Sequence, residues 1–272
     1  MKDDLLIHEL ATQFDLQLSV PEGTLFSFAA ADLVKEEKMQ EFIECYKPLM
    51  KALDDTAVAA YFASWFSSAA MALQYSLSVF NTVPNMSLSN LTIHLVPASG
   101  YCRVVYVMNQ WDTIKGPEDK VERDHWRHLV LADFYKNTAF PLIRCISALS
   151  GLAASQIWGQ FPTKFNYYLE ILIKGQDNAD TIHQLQMDYE SLKNDLSPEI
   201  FGLAKNPFQV QVRRIEDLAD PEKTVQMRNR CCLYYLTEGG SYCYTCPRLN
   251  ENERVDRREK FRDRKSRADS NK

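Results

Sequence analysis

Residues 228–247 read Arg228-Asn229-Arg230-Cys231-Cys232-Leu233-Tyr234-Tyr235-Leu236-Thr237-Glu238-Gly239-Gly240-Ser241-Tyr242-Cys243-Tyr244-Thr245-Cys246-Pro247, and how this stretch is read decides what the C-terminal third of the chain folds around. Four of the seven cysteines fall here, within 16 residues, in the pattern CC-x10-C-x2-C. A C-x2-C pair lets two thiolates reach one metal from a tight turn. Gly239-Gly240 before it and Pro247 after it supply the turn chemistry. The first pair is unusual. Neighbouring residues on a regular strand point to opposite faces, so Cys231 and Cys232 can both serve only where the backbone bulges or turns. Structural zinc sites use C-x2-4-C on both sides. A binuclear cluster has two irons some distance apart and accepts ligands arriving from different directions. The adjacent cysteines therefore favour [2Fe–2S], with a four-cysteine zinc ribbon and inert thiols as the alternatives. The spacing differs from the plant-type and bacterial ferredoxin patterns.

Outward from this segment the chain is ordinary for a globular protein. It has 272 residues, 46% hydrophobic and 25% charged, enough to bury a core. A net charge of −5 argues against a dedicated nucleic-acid binder, which shows a basic excess. Seven cysteines are too few, and odd in number, for a disulfide scaffold. Cys45, Cys102 and Cys145 stand in apolar settings and read as core residues. The N-terminus, MKDDLLIHELATQFD, has acids in its first four residues and no apolar run of signal-peptide length. A cytoplasmic, reducing location is the expectation, with free thiols serving as core, redox or metal-binding groups.

The organisation expected is α+β: mainly helical, with a small antiparallel sheet and a C-terminal four-cysteine site. Residues 1–80 read as a helical part, residues 81–249 as a sheet-and-helix part carrying the cysteine motif, and residues 250–272 as a charged, solvated tail. That tail holds nine basic and six acidic residues, +3, so residues 1–249 carry −8. Helices are expected over Lys2–Phe14, Ala31–Leu53, Val121–Leu149, Ala153–Lys174 and Thr181–Asn194, and a hairpin over Leu91–Val96 and Tyr101–Met108 around Pro97-Ala98-Ser99-Gly100. Phe208–Ile215 and Val225–Leu236 have strand character. From Thr56 to Cys102 there is no Asp, Glu, Lys or Arg. Its first part, Thr56–Phe80, is long enough to span a bilayer. Seven of those 25 residues are Ser, Thr or Gln, which favours a helix buried on most sides of the fold, capped by Asp54 and Asp55.

The cysteine segment resembles the C-terminal signature of the FhuF-type ferric siderophore reductases: adjacent cysteines, a ten-residue gap, and a final C-x2-C-P. A second stretch, Ser150-Gly151 through Ile157-Trp158-Gly159-Gln160 to Asn166, is similar to a Gly then Leu-Trp-Gly-Asn-like stretch in that family and in the related C-terminal region of siderophore synthetases. This chain has Gln160 in the Asn position. The resemblance extends thinly over residues 55–248. It implies that Cys231, Cys232, Cys243 and Cys246 bind a [2Fe–2S] cluster, and that the protein reduces imported Fe(III)-siderophores of the hydroxamate or citrate-hydroxamate type in the cytoplasm. The alternative is a non-catalytic zinc-binding or synthetase-like binding module.

No G-x-G-x-x-G or P-loop is present, so the electron donor of such a reductase is expected to be external, a ferredoxin or flavoprotein. A monomer is expected. Anionic substrates need positive groups: Arg103 follows the hairpin turn, Arg144 and Lys164 flank Trp158, and Arg228 and Arg230 adjoin the cysteines. Arg228, Arg230, Lys164 and Arg103 are the candidate substrate cations, with Trp158 as an apolar wall. His125 and His128 share a helix face next to Asp124, with no third conventional metal partner evident.

Overall fold

The uncharged stretch forms the central helix. In the computed structural model, which describes residues 2–270 and side chains over residues 3–267, helix α3 (Asp55–Tyr75) runs on through a π-helical turn, Ser76–Phe80. Asp54 caps it, its carboxylate accepting from the Ala57 N–H at 3.1 Å. Ala57, Ala59, Ala60, Ala63, Ala69, Ala70 and Ala72 are all buried, and these small side chains let neighbouring helices approach. Ser76 returns its hydroxyl to the Ala72 carbonyl and Ser67 to the Ser64 carbonyl, at 2.7 Å each. The helix is long and apolar enough to cross a membrane, yet 78% of its most apolar window is buried inside the protein. It is a core helix.

Helices α1 (Lys2–Phe14), α2 (Glu36–Leu49), α5 (Phe140–Ser150), α6 (Ala154–Trp158) and α7 (Phe161–Lys174) pack around α3. The expected helix over 121–149 is α4 (Lys120–Asp133) joined to α5 by a second π-helical segment, Phe134–Ala139. Gly151, at φ 73°, ends α5, because only a residue tolerant of the left-handed region closes such a cap without strain. The expected hairpin is β4 (Leu91–Ala98) and β5 (Tyr101–Met108), paired from Leu91–Met108 to Ala98–Tyr101. The short strands β1 (Leu16–Gln17) and β2 (Phe26–Ala29) extend it to the order β1-β5-β4-β2, antiparallel except for the β1–β5 edge. Two further two-stranded ladders join β3 (Thr82–Pro84) to β6 (Thr113–Lys115), and β7 (Arg214–Glu216) to β8 (Thr224–Gln226). The fold is α+β and mainly helical, as the sequence pattern predicts.

Two expectations need correction. Strand character over 208–215 and 225–236 shrinks to the three-residue β7 and β8, the second for a reason given with the metal centre. The charged tail is not a solvated terminus: Glu251–Ser270 forms helix α9. Arg254, Arg258 and Arg262 recur every four residues, so they share one helix face. Arg254 and Arg258 are 6% and 7% exposed, which is burial no frayed tail provides.

A buried ion network, invisible in the sequence pattern, fastens α4 to α8 (Ala179–Asn194). The Asp188 side chain is fully buried. It accepts from Arg123 at 3.0 and 2.8 Å, from Arg127 at 3.1 Å, from Ser78 at 2.9 Å and from Gln184 at 2.7 Å. Arg123 also reaches Asn81 Oδ1 at 2.8 Å and the Leu77 carbonyl at 3.1 Å, tying the end of the α3 π-turn into the network. Removing the acid leaves Arg123 buried without its counter-charge and Arg127 with only the part-exposed Asp124 at 2.9 Å. Asp188→Ala should therefore cost ~3–5 kcal/mol, read as a lowered urea midpoint with unchanged slope. A loss below ~1 kcal/mol would show that water or Asp124 takes over.

Candidate metal centre

The two cysteine limbs are built against α7 and α9. After β8 the chain turns irregular: Met227 N–H donates to the Arg213 carbonyl at 2.8 Å, and Arg228 N–H to the Thr245 carbonyl at 3.0 Å, which lays the first limb beside the second. Asn229 N–H donates to Thr163 Oγ1 at 2.9 Å, and its amide to the Gly159 carbonyl at 3.3 Å. Gln160, buried, donates its amide N–H to the Cys231 carbonyl at 3.1 Å. The Trp158-Gly159-Gln160 stretch therefore acts as a seat for the first limb. Leu233 sits at φ 59°, a left-handed conformation that breaks any strand. This is why the expected strand over 225–236 ends at Gln226, and it meets the requirement that the backbone turn at Cys231-Cys232. A 3₁₀ turn, Tyr234–Leu236, follows, and Ala52 pairs with Thr237. The second limb closes with Cys246 N–H donating to the Cys243 carbonyl at 3.0 Å.

From α9, Arg254 donates to the Cys246 carbonyl at 2.8 Å and Arg258 to Tyr244 Oη at 2.9 Å. Arg262 binds Glu216 at 2.7 Å and the Asp217 carbonyl at 2.9 Å. The basic stripe of α9 is thus a clamp along the cysteine loop and the β7 ladder.

The four thiols are free and fall into two pairs. Cys231 and Cys246, 8% and 1% exposed, have their sulfurs 3.5 Å apart. Cys232 and Cys243, half-buried, are neighbours. The Arg248 N–H points to Cys246 Sγ at 3.5 Å, and Thr245 Oγ1 lies 3.7 Å from Cys243 Sγ. The neighbouring Cys232 thiol, helped by Thr245 and Arg228, lowers the pKa of Cys243. The same contact, with burial, raises that of Cys232. Burial pushes Cys246 up to about 11.

Among the described residues no three or more His, Cys, Asp or Glu converge as ligands of a single metal ion. Two separate thiol pairs fit a binuclear group, with two ligands for each metal, and do not fit one tetrahedral zinc. Residues 228–248 match the family model described as the FhuF 2Fe-2S C-terminal domain. This segment is a FhuF-type [2Fe–2S] domain. Cys231, Cys232, Cys243 and Cys246 are the thiols of that domain that would hold the cluster. No curated protein matches the chain. The other cysteines stand apart: Cys102 and Cys145 are buried, Cys45 is half-buried, and burial raises the pKa of all three.

A cleft of about 520 Å³ opens beside the FhuF-type domain, between α7 and the β7–β8 ladder, and is lined by Arg228 and Thr245 from the two cysteine limbs. Lys164 lines it from α7. Its ammonium donates to Ser68 Oγ and lies over the Trp65 and Tyr168 rings at 5.9 and 5.7 Å. Burial lowers its pKa to about 8, against the opposing pull of Asp15. Glu170, the acid of the cleft, is engaged by Lys174 and Arg214 at 2.7 Å each and by Gln226 at 2.8 Å. Those bonds, led by Lys174, hold its carboxyl down to about 2.

Of the expected substrate residues, Arg228 and Lys164 line this cleft and the others do not. Trp158 is fully buried and donates its indole N–H to the Phe201 carbonyl at 3.0 Å. It packs on Phe161 and Phe201 with ring centroids 5.0 and 5.1 Å apart, so it is core and not a pocket wall. Tyr167 and Tyr168, three and four residues from Lys164, supply aromatic surface instead; their helical spacing was the available signal. Arg103 is ion-paired to Asp15. Arg230 is exposed and lies across Gly159, where an added Cβ would meet its Cγ at 2.2 Å.

The two turn glycines make opposite demands. A Cβ on Gly240 would lie 1.9 Å from the Tyr234 carbonyl oxygen, whereas one on Gly239 would meet nothing, at φ 69°. Gly240→Ala should therefore abolish incorporation of iron and sulfide. Gly239→Ala should cost only the left-handed penalty of ~1–2 kcal/mol and keep the cluster. Iron and acid-labile sulfide per chain, wild type giving two of each, check this; equal losses in both variants would contradict it.

Proposed function

We propose that this protein is a cytoplasmic ferric siderophore reductase, which takes one electron at a time from an external ferredoxin or flavoprotein and delivers it to an Fe(III)-siderophore in the cleft. The observation that carries the reading is Arg228, which lines the cleft together with Thr245 of the C-x2-C limb and whose charge acts on Cys243, so a ligand in the cleft lies one side chain from the metal centre. When bound, the [2Fe–2S] group supplies one-electron transfer.

The residues of the chain do the rest. Fe(III) is a hard cation that prefers anionic oxygen donors, and Fe(II) is held far less tightly, so reduction releases the metal from an intact chelator. No general acid, base or nucleophile is needed. The cleft must bind and orient the chelate. Lys164, Lys174, Arg214 and Arg228 face it against the single acid Glu170. Three hydroxamates already balance Fe(III), so a trihydroxamate chelate carries little net charge, whereas a citrate-hydroxamate brings further carboxylates. The excess of cations favours the citrate-hydroxamate type, with the Arg228 fork suited to a carboxylate and the Tyr167 and Tyr168 rings against its apolar arms.

Titration of a ferric citrate-hydroxamate into the oxidised protein tests this. Arg228→Ala and Lys164→Ala should each weaken affinity by ~1.5–3 kcal/mol, the range for a hydrogen bond to a charged group, with the visible spectrum intact. Arg230→Ala and Arg103→Ala should bind as wild type. Unchanged affinity in both cleft variants would overturn the site.

The pH dependence has a definite sign. Lys164 is charged below its lowered value of about 8 and neutral above it. It is faced by Ser68, Trp65 and Tyr168, with Asp15 and Arg228 as the charges acting on it. Affinity for an anionic chelate should fall as pH rises through about 8, and Lys164→Met should remove that step. A step of equal size in the variant would assign it elsewhere.

A further inference from the structure

The four thiols can be shared between two irons in three ways. The sequence leaves all three open, and the structure favours one of them. From the geometry we infer that Cys231 and Cys246 ligate one iron and Cys232 and Cys243 the other, and that the second iron is the one turned toward Arg228 and the cleft. This rests on the [2Fe–2S] domain and not on the proposed reduction.

The first argument is distance. Two thiolates on one tetrahedral metal, with bonds of ~2.3 Å, stand roughly 3.8 Å apart. Cys231 Sγ and Cys246 Sγ already stand 3.5 Å apart, which leaves Cys232 and Cys243, neighbours whose thiols act on one another, as the second pair. The second argument is the backbone. Leu233, left-handed, turns the chain immediately after Cys232. The turn from Cys243 to Cys246 likewise sends one thiol to each partner on the facing limb. Each limb thus gives one sulfur to each pair.

The pairs also differ in surroundings. Both carbonyls of the inner pair are clamped, Cys231 by Gln160 at 3.1 Å and Cys246 by Arg254 at 2.8 Å, and both side chains are buried. The outer pair is half-buried, and the Arg228 charge acts on Cys243. A guanidinium lies near each pair, Arg254 on the Cys246 carbonyl and Arg228 by Cys243, so exposure makes the difference: added negative charge is better stabilised at the half-buried pair than at the buried one. The electron of the reduced state should therefore reside on the iron of Cys232 and Cys243, on the cleft side.

The test is Mössbauer spectroscopy of the full-length, ⁵⁷Fe-loaded, dithionite-reduced protein, with no siderophore in any arm, so that failure of the proposed reduction leaves it untouched. Reduced wild type should give one ferric and one ferrous doublet. Cys232→Ser and Cys243→Ser should each change the quadrupole splitting of the ferrous doublet alone, and Cys231→Ser and Cys246→Ser that of the ferric doublet alone. Cys243 and Cys246 acting on the same doublet, or Cys231 and Cys232 doing so, would overturn the pairing. For a serine variant that holds no cluster, the full-length Cys231→Ser apoprotein is oxidised with diamide and cleaved after Tyr244, which separates Cys243 from Cys246. A disulfide from Cys232 to Cys243 is expected; one from Cys232 to Cys246, or from Cys243 to Cys246, refutes the pairing.

Discussion

The constraint on which the C-terminal part of this structure depends is that two neighbouring residues, Cys231 and Cys232, must bring their thiols to the same small site, each facing its own partner there. A strand cannot do this without disruption, because its period of two sends neighbours to opposite faces. The chain abandons the strand after Gln226, runs irregularly, and enters the left-handed region at Leu233. An irregular segment loses the ladder that would satisfy its backbone, so its polar groups need other partners. Thr163, Gly159 and Gln160 supply them on one side, and Thr245 supplies one from the second limb. The stretch around Gly159 is conspicuous in sequence, and in the structure it seats the cysteine loop.

The same demand explains α9. A small irregular loop carrying four thiols has little apolar surface of its own, and its cysteines are free of disulfides. Arginines from α9 supply long-reach hydrogen bonds instead, Arg254 to the Cys246 carbonyl and Arg258 to Tyr244. Arg258 is also balanced by Glu251 at 2.7 Å, so the buried charge is compensated as burial of an ion requires. These cations also lie close to a centre that gains negative charge on reduction, and stabilising charge nearby favours the reduced state. The helical body contributes the opposite face: α3 and α7 bring Ser64, Lys164 and the two tyrosines to the cleft, while their own inner surfaces are committed to the aromatic core around Phe66, Trp158 and Phe161.

Much of this was legible in residue patterns. The β4–β5 hairpin followed from β-branched and aromatic runs around Ser99-Gly100. The central helix followed from an uncharged stretch preceded by two acids, and the four thiols from their spacing. The errors share a physical cause: a one-dimensional pattern counts residue types and does not see partners. Val225–Leu236 looks like a strand because Val, Tyr and Leu favour strands, and nothing in that composition announces a left-handed Leu233. The tail looks solvated because its charges nearly cancel, although the four-residue spacing of Arg254, Arg258 and Arg262 was there to be read. Trp158 looked like a pocket wall because tryptophans often are, while its N–H is consumed by a backbone carbonyl 43 residues away. Arg123 and Arg127 went unnoticed beside the two histidines because their partner, Asp188, is far along the chain.

The central claim is that the cleft and the thiol centre form one electron-transfer unit. It is tested most directly by a single-turnover experiment under anaerobic conditions. Reduced wild-type protein is mixed with one equivalent of ferric citrate-hydroxamate in the presence of a chromogenic Fe(II) chelator. The account predicts that the oxidised [2Fe–2S] absorption returns in step with the appearance of one captured Fe(II) per electron, and that Arg228→Ala, with its cluster intact, slows both signals together. Reoxidation at the same rate with and without the ferric chelate, with no Fe(II) captured, would contradict it.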